Sequence, residues 1–246
     1  TLSYSDMRVW SASTGVMCLI LLAAFVKWER KQEEPLLQLR MFARRDFSAI
    51  FLCLMMINLS YMGMLYLIPF FGKICAGMST LEVGMFLLEA AALTAVFGMP
   101  IARWSDRKGR RMFCVAAGLF TALAFFMFAV FADGMTHLIF FAIMIPQGLG
   151  WAFTGGPMAS RLVEHAGEDR DMASSLTNEA YFIGGAMGTA LAAMVFTTFS
   201  HSDGIDIAAV SSTAFLDGFV PTAVMCALLA VVLAIISYVV RDGEEK

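Results

Sequence analysis

The sequence predicts an all-α polytopic membrane protein with seven transmembrane helices. Of its 246 residues, 59% are hydrophobic and 15% are charged, whereas a soluble domain carries about 25% charged residues. The apolar residues are also grouped in long runs almost free of charge, each close to the ~20 residues with which a helix crosses a bilayer. These runs cover 9–26, 47–72, 83–101, 112–132, 138–158, 180–200 and 218–240.

The basic residues lie mostly in alternate connectors between these runs. Fifteen of the 17 Lys and Arg residues belong to four segments, and only Arg8 and Lys73 belong to the others. Because connectors rich in Lys and Arg remain in the cytoplasm, we expect a multi-pass protein of the cell membrane with its C-terminus in the cytoplasm. The four basic segments are 27–46, 102–111, 159–175 and the C-terminal tail.

The seven runs divide into one helix followed by six. Residues 1–28 predict a single linker-type transmembrane helix, and 29–46 predict a cytoplasmic connector, because Pro35 and mixed charges argue against a further span there. Residues 47–240 predict a six-helix bundle, and 241–246 predict a cytoplasmic tail. The chain starts without Met just before its first span, so we expect an upstream part to be missing.

The six helices of the bundle differ in polarity. The runs 112–132 and 218–240 hold few side chains that can form hydrogen bonds, which predicts outer, lipid-facing helices. The other four carry Asn, Gln, Glu, Tyr, Trp and Thr side chains in or beside the apolar run. An unsatisfied polar group in hydrocarbon is costly, so these four helices are expected to surround a polar interior.

Glu89 is the most informative single residue. It lies near the middle of its predicted span, where an ionisable side chain is expensive and marks a candidate functional site. Glu82 lies seven residues earlier on the same helix face, about 10 Å closer to the outer mouth. We expect Glu89 to bind a proton or an organic cation and Glu82 to attract cations; the alternative for both is a structural carboxylate.

Neutral polar and aromatic side chains form stripes on three other spans. Asn58 and Tyr61 are three residues apart, Gln147, Trp151 and Thr154 repeat at helical spacing, and Tyr181 follows in the next run. Residues at such spacing share one helix face, and aromatic rings attract cations. The stripes therefore predict a substrate cavity for flat cations, although simple hydrogen bonds between helices would explain them equally well.

A charged loop between two spans carries a known signature. Residues 102–111 read ARWSDRKGRR, which resembles the cytoplasmic loop of the major facilitator superfamily, with Ala102 in place of the leading glycine. The resemblance implies that the loop is a conformational latch between two halves. Asp106 is expected to cap the next helix and pair with an Arg, and Gly109 to allow a tight turn. The matching residues are Asp106, Arg107, Gly109, Arg110 and Arg111.

Three further stretches resemble the fourteen-span drug:proton antiporters of that superfamily. They are EPLLQLRMF at 34–42, LGWAF at 149–153 with Pro157, and GGAMGTA at 184–190. Gly184 and Gly188 form a GxxxG pair, which favours close helix packing over contact with substrate. The resemblance covers nearly the whole chain and implies spans eight to fourteen, with six helices forming the C-terminal half of a major facilitator fold.

The resemblance implies proton-coupled efflux of lipophilic or cationic compounds by alternating access. The implied partners are the lipid bilayer, protons, a small cationic or lipophilic molecule and the missing N-terminal half. The energy source is then the proton gradient, with no cofactor, metal or nucleic acid. A non-transporting membrane scaffold and a facilitator that takes up a small organic solute are the alternatives; buried Lys or Arg would favour an organic anion, and the predicted spans contain none.

The sequence contains no motif that supports an enzymatic function. It contains no nucleophile elbow, HExxH, paired-aspartate protease motif, P-loop or Cys/His cluster with metal-ligand spacing. The motifs that carry chemistry are confined to single polar side chains inside apolar spans. The sequence therefore predicts transport rather than catalysis.

Overall fold

The computed structural model describes residues 39–240, apart from 168 and 203–206, together with single positions between 13 and 28. The chain divides into a unit of residues 1–41 and a unit of residues 42–246, and the architecture below is that of the second. Most of the predicted first span, most of the connector at 29–46 and all of the tail at 241–246 lie outside the described residues.

Within the described part of the chain, six helices are long and apolar enough to cross a membrane, where the whole sequence predicted seven. The predicted all-α class is confirmed. The helices are α1 (Arg45–Ile74), α2 (Thr80–Lys108), α3 (Arg111–Val130), α4 (His137–Glu164), α5 (Arg170–Ser200) and α6 (Ser212–Val239).

Most helices are longer than the apolar runs that predicted them, with 28 to 31 residues in all but α3. A helix of 30 residues is about 45 Å long, whereas the hydrocarbon core is about 30 Å thick. The additional turns carry charged residues, which can reach water at the helix ends. Hydropathy therefore located the helices but not their ends.

Side-chain caps mark one end of the bundle. Ser79, Thr136 and Ser211 accept hydrogen bonds from main-chain N–H groups in the first turns of α2, α4 and α6, at 3.3 to 3.4 Å. The starts of α1, α3 and α5 lack a side-chain cap bond. Since helices that follow one another along the chain start at opposite ends, we call the first the capped end and the other the basic end.

The helices pair in a pattern that is nearly two-fold. The most extensive contacts join α3 to α6, α1 to α5 and α2 to α4, followed by α3 to α4 and α1 to α6. If α1–α3 are exchanged with α4–α6, the pair α3–α6 becomes itself, and each of the other four pairs becomes another pair in the same set. Such a pattern is typical of a six-helix half built from two three-helix repeats.

Glycines allow the three main helix pairs to approach closely. A Cβ atom added at Gly188 of α5 would lie 2.2 Å from the main-chain oxygen of Leu59 in α1. Gly118 faces Ala230 between α3 and α6, and Gly148 faces Ala90 between α2 and α4, with corresponding distances of 2.8 and 2.7 Å. Small residues at such crossings permit the backbone packing that holds membrane helices together.

The runs 112–132 and 218–240, for which we predict outer, lipid-facing positions, contact each other in the bundle. The two runs become α3 and α6, which pack against each other, and 44% of the apolar window of each is buried. The most exposed helices are α2 and α5, with 11% and 28% of their windows buried.

Candidate functional site

A cavity of about 1060 Å³ lies between α4 and α5 toward the basic end. The α5 residues that line it share one helix face and carry hydroxyl, amide and charged groups. The α4 residues that line it are mostly small. Tyr181 is the lining residue farthest along α5 from the basic end. The lining residues are Arg110, Gly155, Ala159, Ser160, Val163, Glu164, Arg170, Ser174, Thr177, Asn178 and Tyr181.

Three aromatic rings from three helices meet beside Tyr181. Tyr61 of α1 stacks on Trp151 of α4 with ring centroids 4.3 Å apart and an interplanar angle of 23°. Trp151 in turn lies 5.9 Å from the Tyr181 ring of α5, tilted by 52°. We call these residues the aromatic cluster. Because Tyr181 also lines the cavity, the cluster lies at the deep end of that cavity.

Two buried amides flank the aromatic cluster. Asn58 lies one turn before Tyr61 on α1, and its Nδ2 donates a hydrogen bond to the main-chain oxygen of Tyr181. Gln147 lies one turn before Trp151 on α4. The two residues are only 4% and 3% exposed, and within the described part of the chain Asn58 Oδ1, Gln147 Oε1 and the Tyr181 hydroxyl are buried without a hydrogen-bond partner.

Thr154 lies differently from the other predicted cavity residues. Its side chain is fully buried, and its hydroxyl donates to the main-chain oxygen of Gly150 in the same helix at 2.8 Å. Such a bond to the preceding turn satisfies the hydroxyl locally. Of the six predicted cavity residues, the structure thus brings Asn58, Tyr61, Gln147, Trp151 and Tyr181 together and keeps Thr154 within the packing of α4.

Glu89 is a half-buried residue of α2. Its Oε2 atom is buried and, among the described residues, has no hydrogen-bond partner. The neighbouring contact between α2 and α4 is tight, because Thr94 donates to the main-chain oxygens of both Ala90 and Gly148 at 3.0 Å. An ionisable group in this setting remains a candidate for binding a proton.

Glu82 has a local structural partner that the sequence analysis missed. Its Oε2 accepts hydrogen bonds from the main-chain N–H and the hydroxyl of Ser79, which forms a capping box at the start of α2. Its Oε1 lies 3.4 Å from His137 Nε2 at the start of α4. The Ser-x-x-Glu spacing ahead of an apolar run could have predicted this box.

The latch loop, predicted over 102–111, begins inside α2, because that helix extends to Lys108 and leaves only Gly109 and Arg110 before α3. Arg110 donates to Asp106 Oδ1 at 3.0 Å and to Glu164 Oε2 of α4 at 2.6 Å. Partial burial alone would lower the pKa of Arg110, but the hydrogen bonds and charges of these carboxylates raise its pKa above the ordinary value. The guanidinium therefore stays charged and links the loop to α4.

The other residues that match the signature loop differ in conformation, exposure and contacts. Gly109 has a φ of +89°, a conformation that glycine adopts easily and that ends α2. The expected pairing of Asp106 with an Arg is confirmed, whereas the expected capping of α3 is wrong, because no side chain caps that helix. Arg107 is exposed, and the Arg111 guanidinium lies 4.4 Å from the Tyr238 ring of α6.

Arg161 is a buried cation at a position that the sequence predicted to lie in a connector. The helix α4 continues to Glu164, so Arg161 is 1% exposed inside the bundle. It donates to the main-chain oxygens of Ser237, at 3.2 Å, and of Val240. The predicted spans contain no Lys or Arg, but the longer helix buries this arginine, whose guanidinium binds the end of α6.

No group of three or more His, Cys, Asp or Glu side chains that could hold a metal ion occurs among the residues described by the structure. The chemistry of the site thus consists of aromatic rings, amide and hydroxyl groups, Glu89 and the Arg110 ion pairs.

The chain is similar in sequence to several curated efflux proteins. The chain is 22% identical over 210 residues to the multidrug efflux pump LfrA of Mycolicibacterium smegmatis, covering 85% of this chain and 42% of that protein. It is 28% identical over 201 residues to the multidrug resistance protein B homolog of Mycobacterium tuberculosis, covering 75% and 35%. It is 28% identical over 189 residues to the multidrug export protein EmrB of Haemophilus influenzae, covering 73% and 35%.

The chain thus spans less than half the length of these relatives. The family model described as Major Facilitator Superfamily matches residues 3–189, which include the aromatic cluster, the latch loop and Glu89. The fold of six apolar helices, the signature loop and this match agree, and the chain belongs to the Major Facilitator Superfamily.

Proposed function

We propose that this chain is the C-terminal half of a secondary active transporter that exports lipophilic or cationic compounds and uses the proton gradient. The observation that carries the proposal is the position of the aromatic cluster at the deep end of the cavity. A solute that enters from the basic end reaches Tyr181, whose ring adjoins Trp151 and, through it, Tyr61. Aromatic faces attract cations and pack against flat apolar molecules.

The need for a second half follows from the length of the relatives and the uneven packing of the helices. The chain covers 42% of the efflux pump LfrA, and the apolar windows of α2 and α5 are the least buried in the bundle. In this proposal the missing N-terminal half packs against the side of the bundle formed by α2 and α5. Rocking of two similar halves about the cavity would then give alternating access.

The latch loop would restrain that motion at the basic end. Arg110 ties Asp106 of the loop to Glu164 of α4, and Glu164 also lines the cavity. In the proposed cycle this link holds the basic end in one arrangement. We place the basic end in the cytoplasm, because 15 of the 17 Lys and Arg residues lie in the segments assigned to that side.

Glu89 is the proposed proton carrier. Its Oε2 is buried in a membrane helix and has no hydrogen-bond partner among the described residues, and an ionisable group at such a position is a candidate for proton transfer. Release and uptake of that proton on opposite sides would couple export to the gradient. Glu82 then acts chiefly in helix capping at the outer end, where it also presents negative charge.

The proposal is tested with the complete transporter that contains this sequence, in inside-out membrane vesicles. We expect a lipophilic cationic dye to accumulate when the vesicles are energised and to leave when a protonophore is added. Accumulation that withstands the protonophore would contradict proton coupling. Absence of accumulation, with the protein present and folded, would contradict export.

Replacement of Glu89 tests its role directly. We expect Glu89→Gln to abolish accumulation driven by the proton gradient but to retain exchange of dye down its own gradient, because Gln keeps the shape and cannot release a proton. Asp133→Asn removes an exposed carboxylate in the loop between α3 and α4 and is the matched control. Unchanged accumulation in Glu89→Gln would refute the assignment.

A further inference from the structure

The two amides beside the aromatic cluster each carry a buried oxygen acceptor. The orientation of Asn58 is fixed, because its Nδ2 donates to the main-chain oxygen of Tyr181 and a carbonyl can only accept. Its Oδ1 therefore points away from that bond. With Gln147 Oε1, it forms a pair of buried oxygen acceptors that have no partner among the described residues.

These acceptors are costly unless a donor reaches them at some stage. A buried acceptor without a hydrogen bond lowers stability by more than an average hydrogen bond contributes, and the cost is greater in a membrane interior. Apolar side chains of similar size would avoid the cost at both positions. Two such amides within one turn of the same aromatic stack therefore indicate a site for a ligand that brings its own donors.

The surrounding rings define the rest of that ligand. Tyr61 and Trp151 are stacked 4.3 Å apart, and Trp151 is adjacent to Tyr181, so the space that opens when the rings separate is flat and aromatic. Pro146 lies within α4 directly before Gln147. Because proline removes a main-chain hydrogen bond and favours bending, α4 can move Trp151 away from Tyr61 at this point.

We propose that Asn58 and Gln147 make the transporter selective for flat aromatic cations that carry N–H groups, over quaternary ammonium ions of the same shape. The N–H of a protonated ring nitrogen donates to an amide oxygen, while the aromatic rings hold the plane of the ligand. A quaternary nitrogen carries the same charge but has no hydrogen to donate. This inference rests on the proposed function, since it concerns which solutes the cavity accepts.

The experiment compares two dyes that differ at one nitrogen. Acridine orange is a cation with a ring N–H at neutral pH, and its 10-methyl derivative has a methyl group at that position. Binding to the complete transporter in nanodiscs is measured by fluorescence anisotropy, with empty nanodiscs subtracted. We expect the N–H dye to bind about tenfold more tightly, because a site with unpaired acceptors discriminates against a ligand that lacks the donor.

Variants assign that preference to the amides. We expect Gln147→Met, and independently Asn58→Leu, to reduce the ratio of the two affinities to less than about threefold. Thr222→Val is the matched control, because Thr222 is a fully buried residue of α6 whose hydroxyl bonds only within its own helix, to Gly218. It should leave the ratio unchanged.

Each result has a distinct meaning. Equal affinity for the two dyes in the unsubstituted transporter would overturn the inference while leaving cation export intact. A preference that survives both Gln147→Met and Asn58→Leu would also overturn it. If neither dye binds, the proposed recognition of aromatic cations itself fails. If one variant does not fold, the other variant still tests the inference, together with the ratio of the two dye affinities in the unsubstituted transporter.

Discussion

At the scale of single residues, Arg161 shows how position in a helix changes the meaning of a charge. By sequence it belongs to a basic connector, and a buried arginine would have pointed toward an organic anion. In the bundle its guanidinium donates to the main-chain oxygens of Ser237 and Val240. The last carbonyls of a helix lack partners within the helix, and a cation at that end is favoured by the helix dipole.

The role of Arg161 predicts a loss of stability. We expect Arg161→Met to lower stability by about 2–4 kcal/mol, because two buried carbonyls lose their donor. The measurement is the apparent unfolding midpoint of the complete transporter in detergent, followed by intrinsic fluorescence.

Arg103→Met, at an exposed position near the same end, is the control and should leave the midpoint nearly unchanged. Arg161→Lys should fall between the two, since an ammonium group keeps the charge but not the planar set of donors. An equal unfolding midpoint for Arg161→Met and Arg103→Met would show that the contact of Arg161 with α6 does not stabilise the protein.

For the site residues, the sequence predicted which side chains share a helix face but not which residues of other helices they contact. The helical spacing of Asn58 with Tyr61 and of Gln147 with Trp151 placed each pair on one face. Only the folded chain shows that Tyr61 stacks on Trp151 and that Asn58 bonds to Tyr181. Such contacts depend on the rotation of each helix about its axis, which the sequence of one helix does not determine.

At the scale of helices, the sequence predicted that the GxxxG pair of α5 makes a close contact but not which helix it contacts. The spacing of Gly184 and Gly188 predicts a close contact on one face of the helix. The structure identifies α1 as the partner, with Gly184 over Met55 and Gly188 over Leu59. The contact also brings Asn58 alongside α5, so it positions one amide of the proposed ligand site.

This contact predicts a steric effect of adding one methyl group. A Cβ atom at Gly188 would lie 2.2 Å from the main-chain oxygen of Leu59, so α1 and α5 must move apart. We expect Gly188→Ala to cost about 1–3 kcal/mol and to lower the apparent unfolding midpoint. Gly98→Ala in α2 is the control, because no atom lies within 4 Å of the added Cβ.

If Gly188→Ala unfolds at the same temperature as Gly98→Ala, the α1–α5 crossing does not depend on that close approach. The comparison is informative because both substitutions occur within membrane helices and raise helix propensity equally. Any difference between them then arises from packing.

At the scale of the whole molecule, the ends of the bundle were easier to predict than its interior. The basic segments that the sequence assigned to one side do meet there: Arg44 bonds to the main-chain oxygen of Ala166 at 3.2 Å, Arg110 to Glu164, and Arg161 to Val240. These contacts join four segments that are far apart in sequence. The positions of Lys and Arg relative to the apolar runs can be read directly from the sequence, so the sequence was sufficient to identify the basic end.

The sequence by itself determined that the chain spans a membrane, where its described helices lie and to which family it belongs. Length and hydropathy suffice for this, because bilayer thickness and main-chain hydrogen bonding restrict the solutions. The tertiary structure decided that α3 and α6 pack together, that Arg161 is buried, and that amides from α1 and α4 flank one aromatic cluster. Lipid and protein are equally apolar surroundings, so shape and hydrogen bonding, rather than hydrophobicity, decide which helix faces meet.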